Sequence, residues 1–254
     1  MAQTGPRYLT QTDLGTLTTS QLDELGSVGQ TSDGRYYRYV KFGGTSTINP
    51  GLLLVAAALP ANSTALAITA AGTGGQVAAN LVAGSYSFVV TNGGTAVTQD
   101  EFAEGFVEVI GTSTVQTYQI RGNTKAAATT GFITLYLTEP LRTTVVTVTN
   151  TVNLTKSIFD SPAASLTQAM PVGVTSVAVP NTATVTNYGW VQTRGHAFLS
   201  ATSGTKGFPV TQDLAGTAGF VAVTGAGAAE TVPQIGIFKE SAASSTAPVE
   251  LMLW

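Results

Sequence analysis

The chain has 254 residues, of which only 10% are charged, and it carries a formal net charge of −3, one histidine and no cysteine. This composition provides no clustered basic charge for nucleic acid, no thiols for zinc and little material for acid–base catalysis. We therefore expect no nucleic-acid partner, no metal or cofactor site and no enzymatic activity. The abundance of Gly, Ala, Thr and Val instead favours β-sheet and a structural or binding role.

Residues 1–34 contain scattered glycines and no steady hydrophobic period, which predicts an extended N-terminal arm. The first seven residues lack the basic and apolar segments of a secretory signal, so we expect a protein that is made and kept in the cytosol. The most apolar stretch, 51–59, is well short of the roughly 20 residues that span a bilayer, and it is followed by Pro60. It predicts a buried strand, and we expect no membrane partner.

From Arg35 onward, apolar residues recur with a period of two between glycine-rich or Asn-Gly turn sequences, a pattern typical of antiparallel strands. The predicted strands cover residues 85–90, 105–110, 132–138, 144–154, 172–179, 188–199, 220–224, 235–238 and 249–254. The sequence Thr91-Asn92-Gly93-Gly94 predicts a tight turn after the first of these.

The strand pattern is interrupted between residues 157 and 171. There, Asp160-Ser161-Pro162 predicts a helix cap with proline in the first turn of a short helix over 163–170. We place a domain boundary at this interruption, so the predicted organisation is an arm at 1–34, a β-rich domain at 35–158, and a second β-rich domain or a continuation of the same body at 159–254. The predicted fold is all-β, with an antiparallel sandwich or barrel-like body.

The sequence offers two candidates for a chemical site, one histidine and one cluster of carboxylates. His196 is the only imidazole, and because the chain has no Gly-x-Ser-x-Gly motif, we expect a structural or surface role for it. The richest carboxylate cluster contains Asp100, Glu101, Glu104 and Glu108, with the last two on one face of a predicted strand. It lacks the Asp-x-Asp-x-Asp-Gly pattern of a calcium loop, so we expect a solvent-exposed strand edge and no catalytic, cofactor-binding or metal-binding residues.

Three segments together carry a resemblance to a known class of proteins. They are Ser32-Asp-Gly-Arg-Tyr-Tyr-Arg-Tyr-Val-Lys-Phe-Gly-Gly44, Asp100-Glu-Phe-Ala-Glu-Gly-Phe-Val-Glu-Val-Ile110 and Asn187-Tyr-Gly-Trp-Val-Gln-Thr-Arg-Gly195. In style and order they resemble virion structural proteins of tailed bacteriophages, especially the β-rich proteins that decorate or cement the capsid.

The resemblance implies a structural protein that binds the outside of a phage capsid and stabilises it, after assembly in the cytoplasm of the bacterial host. It implies the major capsid protein as a partner, together with copies of this chain, with a trimer favoured. Neutral sheet faces and an arm that pairs along a capsid-protein edge suit this role. Because aromatic and arginine side chains dominate interface energetics, the predicted contact residues are Arg35, Tyr37, Tyr39, Trp190 and Arg194, although Trp190 also fits a core position.

Two other functions fit the sequence. The first is a tail, neck or fibre protein of a virion, which would be present in fewer copies per particle. The second is a carbohydrate-binding or surface-adhesion module, which the Thr-rich faces and the aromatic residues favour. Copy number in the virion separates the first from a decoration protein, and glycan binding identifies the second.

Overall fold

Strands make up nearly all of the regular structure. The computed structural model describes residues 5–43, 46–58, 63–111, 114–128, 131–145, 147, 149–180, 185–214, 217–223 and 233–253, with the backbone alone at 223 and 242–245. In chain order the elements are β1 (Arg7–Tyr8), α1 (Gln11–Gly15), β2 (Val28–Gln30), β3 (Tyr36–Lys41), β4 (Leu53–Val55), β5 (Leu66–Ala67), a 3-10 turn (Ala78–Leu81), β6 (Ser87–Thr91), β7 (Phe106–Ile110), β8 (Val115–Asn123), β9 (Phe132–Leu137), β10 (Thr151–Thr155), β11 (Pro171–Thr175), β12 (Tyr188–Gly204), β13 (Pro209–Gln212), β14 (Val221–Val223), β15 (Gln234–Phe238) and β16 (Ala242–Met252). The all-β prediction is confirmed. No helix in the described part of the chain is long and apolar enough to cross a bilayer.

The chain forms two compact units, and the second is inserted into the first. Unit 1 comprises Met1–Ala57 and Ile158–Trp254, and unit 2 comprises Ala58–Ser157. The predicted division placed 35–158 and 159–254 in consecutive domains. The structure instead groups the first 57 residues with the C-terminal part, because β3 pairs with β12 from Tyr188↔Lys41 to Arg194↔Tyr36.

The long strand β12 organises unit 1. Its N-terminal half pairs with β3 and β11, and its C-terminal half pairs with β16 and, at Ala201, with β14. Hydrogen bonds connect β12, β14, β13, β15 and β16 in that order, and β16 returns to β12, so these five strands close into a barrel-like sheet. Alternation along β12 turns Ala197, Leu199 and Ala201 into the buried interior.

The N-terminal segment packs onto unit 1, which corrects the prediction of an extended arm for residues 5–34. β1 lies parallel to β2, and β2 pairs with β3. Helix α1 begins at Thr10, whose side chain and that of Asp13 form a reciprocal capping box. Leu9 and Leu14 are buried against the aromatic residues of β3 and β12. These two widely spaced leucines give no periodic signal in the sequence, yet they attach the segment to the core.

The predicted helix over 163–170 is absent, because Asp160 does not act as a cap. Its carboxylate lies 3.1 Å from Lys41 Nζ and accepts a hydrogen bond of 2.8 Å from the Ser161 hydroxyl. Ser161 has a φ of 60°, outside the helical region, and Ala163 forms an isolated bridge with Val55. The sequence Asp160-Ser161-Pro162 therefore directs the chain along β3 and β4 instead of starting a helix.

Unit 2 is a second barrel-like sheet. Its strands follow the order β5, β10, β7, β8, β9, β6, and a bridge between Ile68 and Val90 connects the last strand back to the first. The interior contains fully buried residues such as Phe88, Ile120 and Leu135. The turn predicted after β6 does not form a hairpin with the following strand, because β6 pairs with β9.

A largely buried ion pair joins two parts of unit 2. Glu101 Oε1 lies 2.8 Å from Lys156 Nζ, with side chains 16% and 21% exposed, and Glu101 Oε2 accepts a 2.7 Å hydrogen bond from the Thr98 N–H. Desolvation raises the pKa of Glu101, but the bonds from Lys156 and Thr98 outweigh it, so the pKa lies below its ordinary value. A carboxylate of this kind stabilises the fold above its unfolded-state pKa and loses this contribution as pH falls through its folded-state pKa.

We expect Glu101→Gln to lower the free energy of unfolding by about 1–2 kcal/mol at neutral pH. The difference from the wild type should shrink as pH falls below 4.5, the ordinary value for this group, because Glu101 is then protonated in the unfolded chain first and, at lower pH, in the folded chain as well. Urea unfolding over a pH series measures both effects. Glu139→Gln is the control, because Glu139 pairs with Arg142 at 3.5 Å on the exposed surface, where we expect less than about 0.5 kcal/mol. A difference that stays constant down to low pH would contradict this role of Glu101.

Candidate functional site

Three of the five predicted contact residues are buried in unit 1. Tyr37, Tyr39 and Trp190 are 0%, 2% and 5% exposed, and they pack with Leu9 and Leu14 in one core cluster. The N-terminal segment covers the face of β3 and β12 that carries these rings. The structure thus corrects their predicted role: they stabilise the fold of unit 1 and do not lie at its surface.

The two predicted arginines reach solvent where the pairing of β3 with β12 shifts register. Arg35 Nη2 lies 2.9 Å from Asp33 Oδ2, and the guanidinium carbon of Arg194 lies 5.8 Å from the centre of the Tyr36 ring. Gly195 between them has a φ of +91°, and a Cβ atom at this position would come within 3.0 Å of Arg35 Cγ. The positive φ and this close approach of the Arg35 side chain both favour glycine at position 195.

A groove with a volume of about 630 Å³ opens beside this junction. The turn containing Asp33 and Arg35, the turn at Pro50 and Gly51, the end of β11 and the middle of β12 form its walls. Its charged and aromatic lining residues are Asp33, Arg35, His196, Phe198 and Glu250. The only histidine of the chain thus lies in this groove.

Alternation along β12 and β16 gives the barrel of unit 1 an outer face that continues from this groove. Arg194 lies opposite Met252, His196 opposite Glu250 and Phe198 opposite Pro248, and Ile237 of β15 lies opposite Glu250. We call these residues the outer face: Arg194, His196, Phe198, Ile237, Pro248, Glu250 and Met252.

The outer face exposes large apolar side chains that a solvated sheet would normally bury. Phe198, Met252 and Ile237 are 59%, 51% and 38% exposed. The His196 ring packs edge-on against Phe198, with ring centres 5.2 Å apart. Several exposed apolar side chains on one face of a sheet are typical of an interaction site.

The charges around the groove are largely compensated within the chain. Asp33 pairs with Arg35, and Glu250 Oε2 lies 2.8 Å from Lys239 Nζ. The hydrogen bond from the Thr31 hydroxyl, with the Arg35 charge, lowers the pKa of Asp33. The groove therefore presents paired charges beside an apolar ring, which suits recognition through shape and hydrogen bonds more than through net charge.

The carboxylate cluster of unit 2 has structural contacts. Asp100 accepts a hydrogen bond from the Asn123 backbone N–H at 3.1 Å, and Glu108 accepts one from the Asn153 amide at 3.3 Å. Strand β7 begins at Phe106, so Glu104 lies in the preceding turn and does not share a strand face with Glu108 as predicted. Within the described ranges, no group of three or more His, Cys, Asp or Glu residues is arranged to hold a metal ion.

The exposed apolar residues of the outer face were not singled out from the sequence. The sequence does indicate that Phe198 is exposed. Ala197 and Leu199 alternate with it and face the core, so Phe198 must point to the other side of the strand. For Ile237, the short strand β15 provides too few positions to show which face is buried.

Comparison with protein-family models found no match to this chain, and comparisons with curated proteins and with solved structures also found no match.

Proposed function

We propose that this protein is a structural virion protein that attaches to the outside of a phage capsid and stabilises it. The observation that supports the proposal best is the outer face, where Phe198, Ile237 and Met252 expose apolar surface next to Arg194. Apolar and aromatic groups with an adjacent arginine are the usual centre of a protein interface. The resemblance of three sequence segments to capsid decoration proteins supplies the kind of partner.

The surface of unit 2 supports the same role. Phe106 and Val115 are exposed on β7 and β8, while Val107 and Val109 of β7 face the interior. With only 10% charged residues, the chain has little electrostatic repulsion to overcome when it approaches another protein surface. Repetition over a capsid lattice would multiply modest contacts through effective concentration.

The proposal includes the partners and the location. The partners are the major capsid protein and copies of this chain, with a trimer favoured, and the site of action is the capsid surface after assembly in the cytoplasm of the bacterial host. Light scattering of the purified chain, over a range of concentrations, measures its oligomeric state.

Quantitative mass spectrometry of purified virions tests the proposal. A ratio on the order of one copy per capsid subunit, or one per few subunits, supports a lattice-wide decoration protein. A few to a few tens of copies per particle would indicate a neck, tail or fibre protein instead. Absence from the virion would overturn the proposal.

We expect Phe198→Ser to weaken binding to purified capsid shells by about tenfold or more, because its ring is the most exposed of the large apolar side chains on the outer face. The stability of the chain should change by less than about 1 kcal/mol, since the ring is mostly in solvent. Sedimentation with shells measures binding. Tyr86→Ser is the matched control, because Tyr86 is a 53% exposed aromatic residue of unit 2 outside the outer face. An equal loss in both variants would show that binding depends on general hydrophobicity and not on the outer face.

A carbohydrate-binding module is the second candidate, because Phe198 lines the groove together with the carboxylates of Asp33 and Glu250. An exposed ring beside oxygen acceptors suits the apolar face and hydroxyl rim of a sugar. Screening the full chain on a glycan array tests this candidate, and binding that is lost in Phe198→Ser would favour it.

A further inference from the structure

Among the described residues, one side of strand β12 has no neighbouring strand between Arg194 and Ala201. Arg35 approaches this side at Gly195, and Gly51 approaches it at the Phe198 carbonyl and the Ser200 N–H, so the open part is centred on residues 196–198. At Arg194, β12 pairs with both β3 and β16. At Ala201, it pairs with both β14 and β16. A strand has only two hydrogen-bonding sides, so β3 and β14 lie on the side opposite β16. Between the ends of these two strands, the described residues place no strand on that side, and this is where the groove opens.

The direction of the backbone groups follows from the ladder. The Leu253 N–H donates to the Thr193 carbonyl on the side of β16 at 3.0 Å, while the Ser200 N–H donates to the Gly51 carbonyl on the opposite side at 2.9 Å. Because directions alternate along a strand, the backbone groups of His196 and Phe198 point into the groove. Pairing with β16 is continuous from Arg194 to Ala201, so no bulge interrupts this alternation.

A side chain partly replaces the missing neighbour. Gln192 is 5% exposed, and its Nε2 donates to the carbonyl oxygens of Arg194 at 3.2 Å and His196 at 2.8 Å. These are acceptors that an adjoining strand would otherwise satisfy. The amide of Gln192 has no equivalent action on the N–H groups of His196 and Phe198, which still point into the groove.

The dimensions and charge of the groove indicate the occupant. The interval from Arg194 to Ser200 is about 20 Å long in an extended strand. Arg35 beside Gly195 and Gly51 beside Ser200 occupy its two ends, which leaves room for about three residues of another chain. The carboxylates at the rim already have cationic partners in Arg35 and Lys239, so a charged segment would gain little there. An uncharged segment can pair through its backbone and place an apolar side chain against Phe198.

We propose that an extended, uncharged segment of a capsid subunit adds as a strand to the open side of β12. That the segment comes from a capsid subunit rests on the proposed function. The inference adds how the two proteins bind: the segment pairs with the β12 backbone in the groove, and the outer face makes further side-chain contacts. Strand addition is a general mode of recognition in which main-chain hydrogen bonds provide affinity with little demand on sequence.

Hydrogen exchange on the full chain, free and bound to purified capsid shells, tests the proposal. We expect the amides of His196 and Phe198 to exchange at least about tenfold more slowly in the bound state, since both N–H groups would donate to the added strand. The amide of Ala197, which faces β16, is the internal reference, and its exchange should change much less.

A pair of variants at one position separates the backbone from the side chain. His196→Pro removes the N–H that points into the groove without removing a hydrogen bond to β16, whereas His196→Ala removes only the imidazole. We expect the proline variant to bind shells about tenfold more weakly than the alanine variant. Circular dichroism shows whether both variants are folded. If the proline variant does not fold, the hydrogen-exchange measurement on the wild type still tests the proposal.

The outcomes distinguish the two proposals. Binding to shells with slowed exchange at His196 and Phe198 supports strand addition. Binding to shells with unchanged exchange at both amides overturns strand addition and leaves capsid attachment standing. No binding to shells overturns capsid attachment and, with it, the source of the added strand.

Discussion

We expect Asn123→Ala to lower the free energy of unfolding of unit 2 by about 3–5 kcal/mol, because one buried amide holds a loop to the barrel. Asn123 is fully buried, and its Oδ1 accepts a hydrogen bond of 2.8 Å from the Phe102 N–H. Its Nδ2 donates to the carbonyls of Thr98 and Thr124 at 3.0 Å each. Alanine leaves the buried Phe102 N–H without its partner and removes both hydrogen bonds to the carbonyls.

The loss should extend beyond the hydrogen bonds themselves. Phe102 is 2% exposed and belongs to the interior cluster of unit 2, so a loop that separates from Asn123 also withdraws an aromatic ring from the core. Hydrogen exchange of the amides of Ile133 and Leu135 in β9 measures the stability of this unit. Both tryptophans, at positions 190 and 254, lie outside unit 2, so tryptophan fluorescence follows unit 1 separately.

Asn80→Ala is the control for this experiment. Asn80 lies in the 3-10 turn of the same unit and is only partly buried, so we expect its replacement to cost less than about 1 kcal/mol. Equal effects of the two substitutions would show that Asn123 has no special part in holding the loop.

The strands of this protein were largely predictable from local pattern, and their partners were not. Residues 132–138 alternate cleanly, and the structure has β9 at Phe132–Leu137. In β8, only Tyr118 and Ile120 are large apolar side chains that face inward. Val115 is exposed and the remaining positions are Gln, Thr, Arg, Gly and Asn, so no strand was predicted there. Of the predicted strand 144–154, the structure has only β10 at Thr151–Thr155, and residues 146 and 148 lie outside the described residues.

The insertion of unit 2 had no local signal. A composition break near residue 158 was visible, and it coincides with the return of the chain to unit 1. The corresponding departure near Ala57 follows an apolar stretch that predicted only a buried strand. Which strands belong together depends on pairings such as that of β3 with β12, between residues about 150 positions apart. A period of two specifies a strand but not its neighbour.

The candidate site shows the same division between local and distant information. Tyr37 and Tyr39 lie on one face of β3 and Arg38 on the other, as the alternation of a strand requires. Which of these faces is covered depends on Leu9 and Leu14, about 25 residues earlier in the chain. The aromatic residues were therefore predicted as surface contacts, although in the structure they are buried, and exposed apolar groups lie instead on surfaces such as the outer face on β12, β15 and β16.

The corrected position of Trp190 leads to the second large expected effect. We expect Trp190→Ala to lower the free energy of unfolding of unit 1 by about 3–5 kcal/mol, as is typical when a buried tryptophan is truncated. The Trp190 ring packs edge-on against Tyr39 at 5.1 Å, and the Arg7 guanidinium carbon lies 5.9 Å from its centre. Arg7 also pairs with Asp23 at 2.6 Å, so the cavity would loosen the whole N-terminal segment.

Limited proteolysis and hydrogen exchange of the Leu9 and Leu14 amides measure this loosening, and urea unfolding followed by circular dichroism measures stability without the lost tryptophan signal. Tyr8→Ala is the matched control, because Tyr8 is 78% exposed on the same segment and should change stability by less than about 1 kcal/mol. If Trp190→Ala instead kept full stability and lost only its binding to capsid shells, the ring would be a contact residue after all. Because Trp190 is buried against Leu9 and Tyr39, we expect the substitution to lower the stability of unit 1, and any loss of binding to be a consequence of that lower stability.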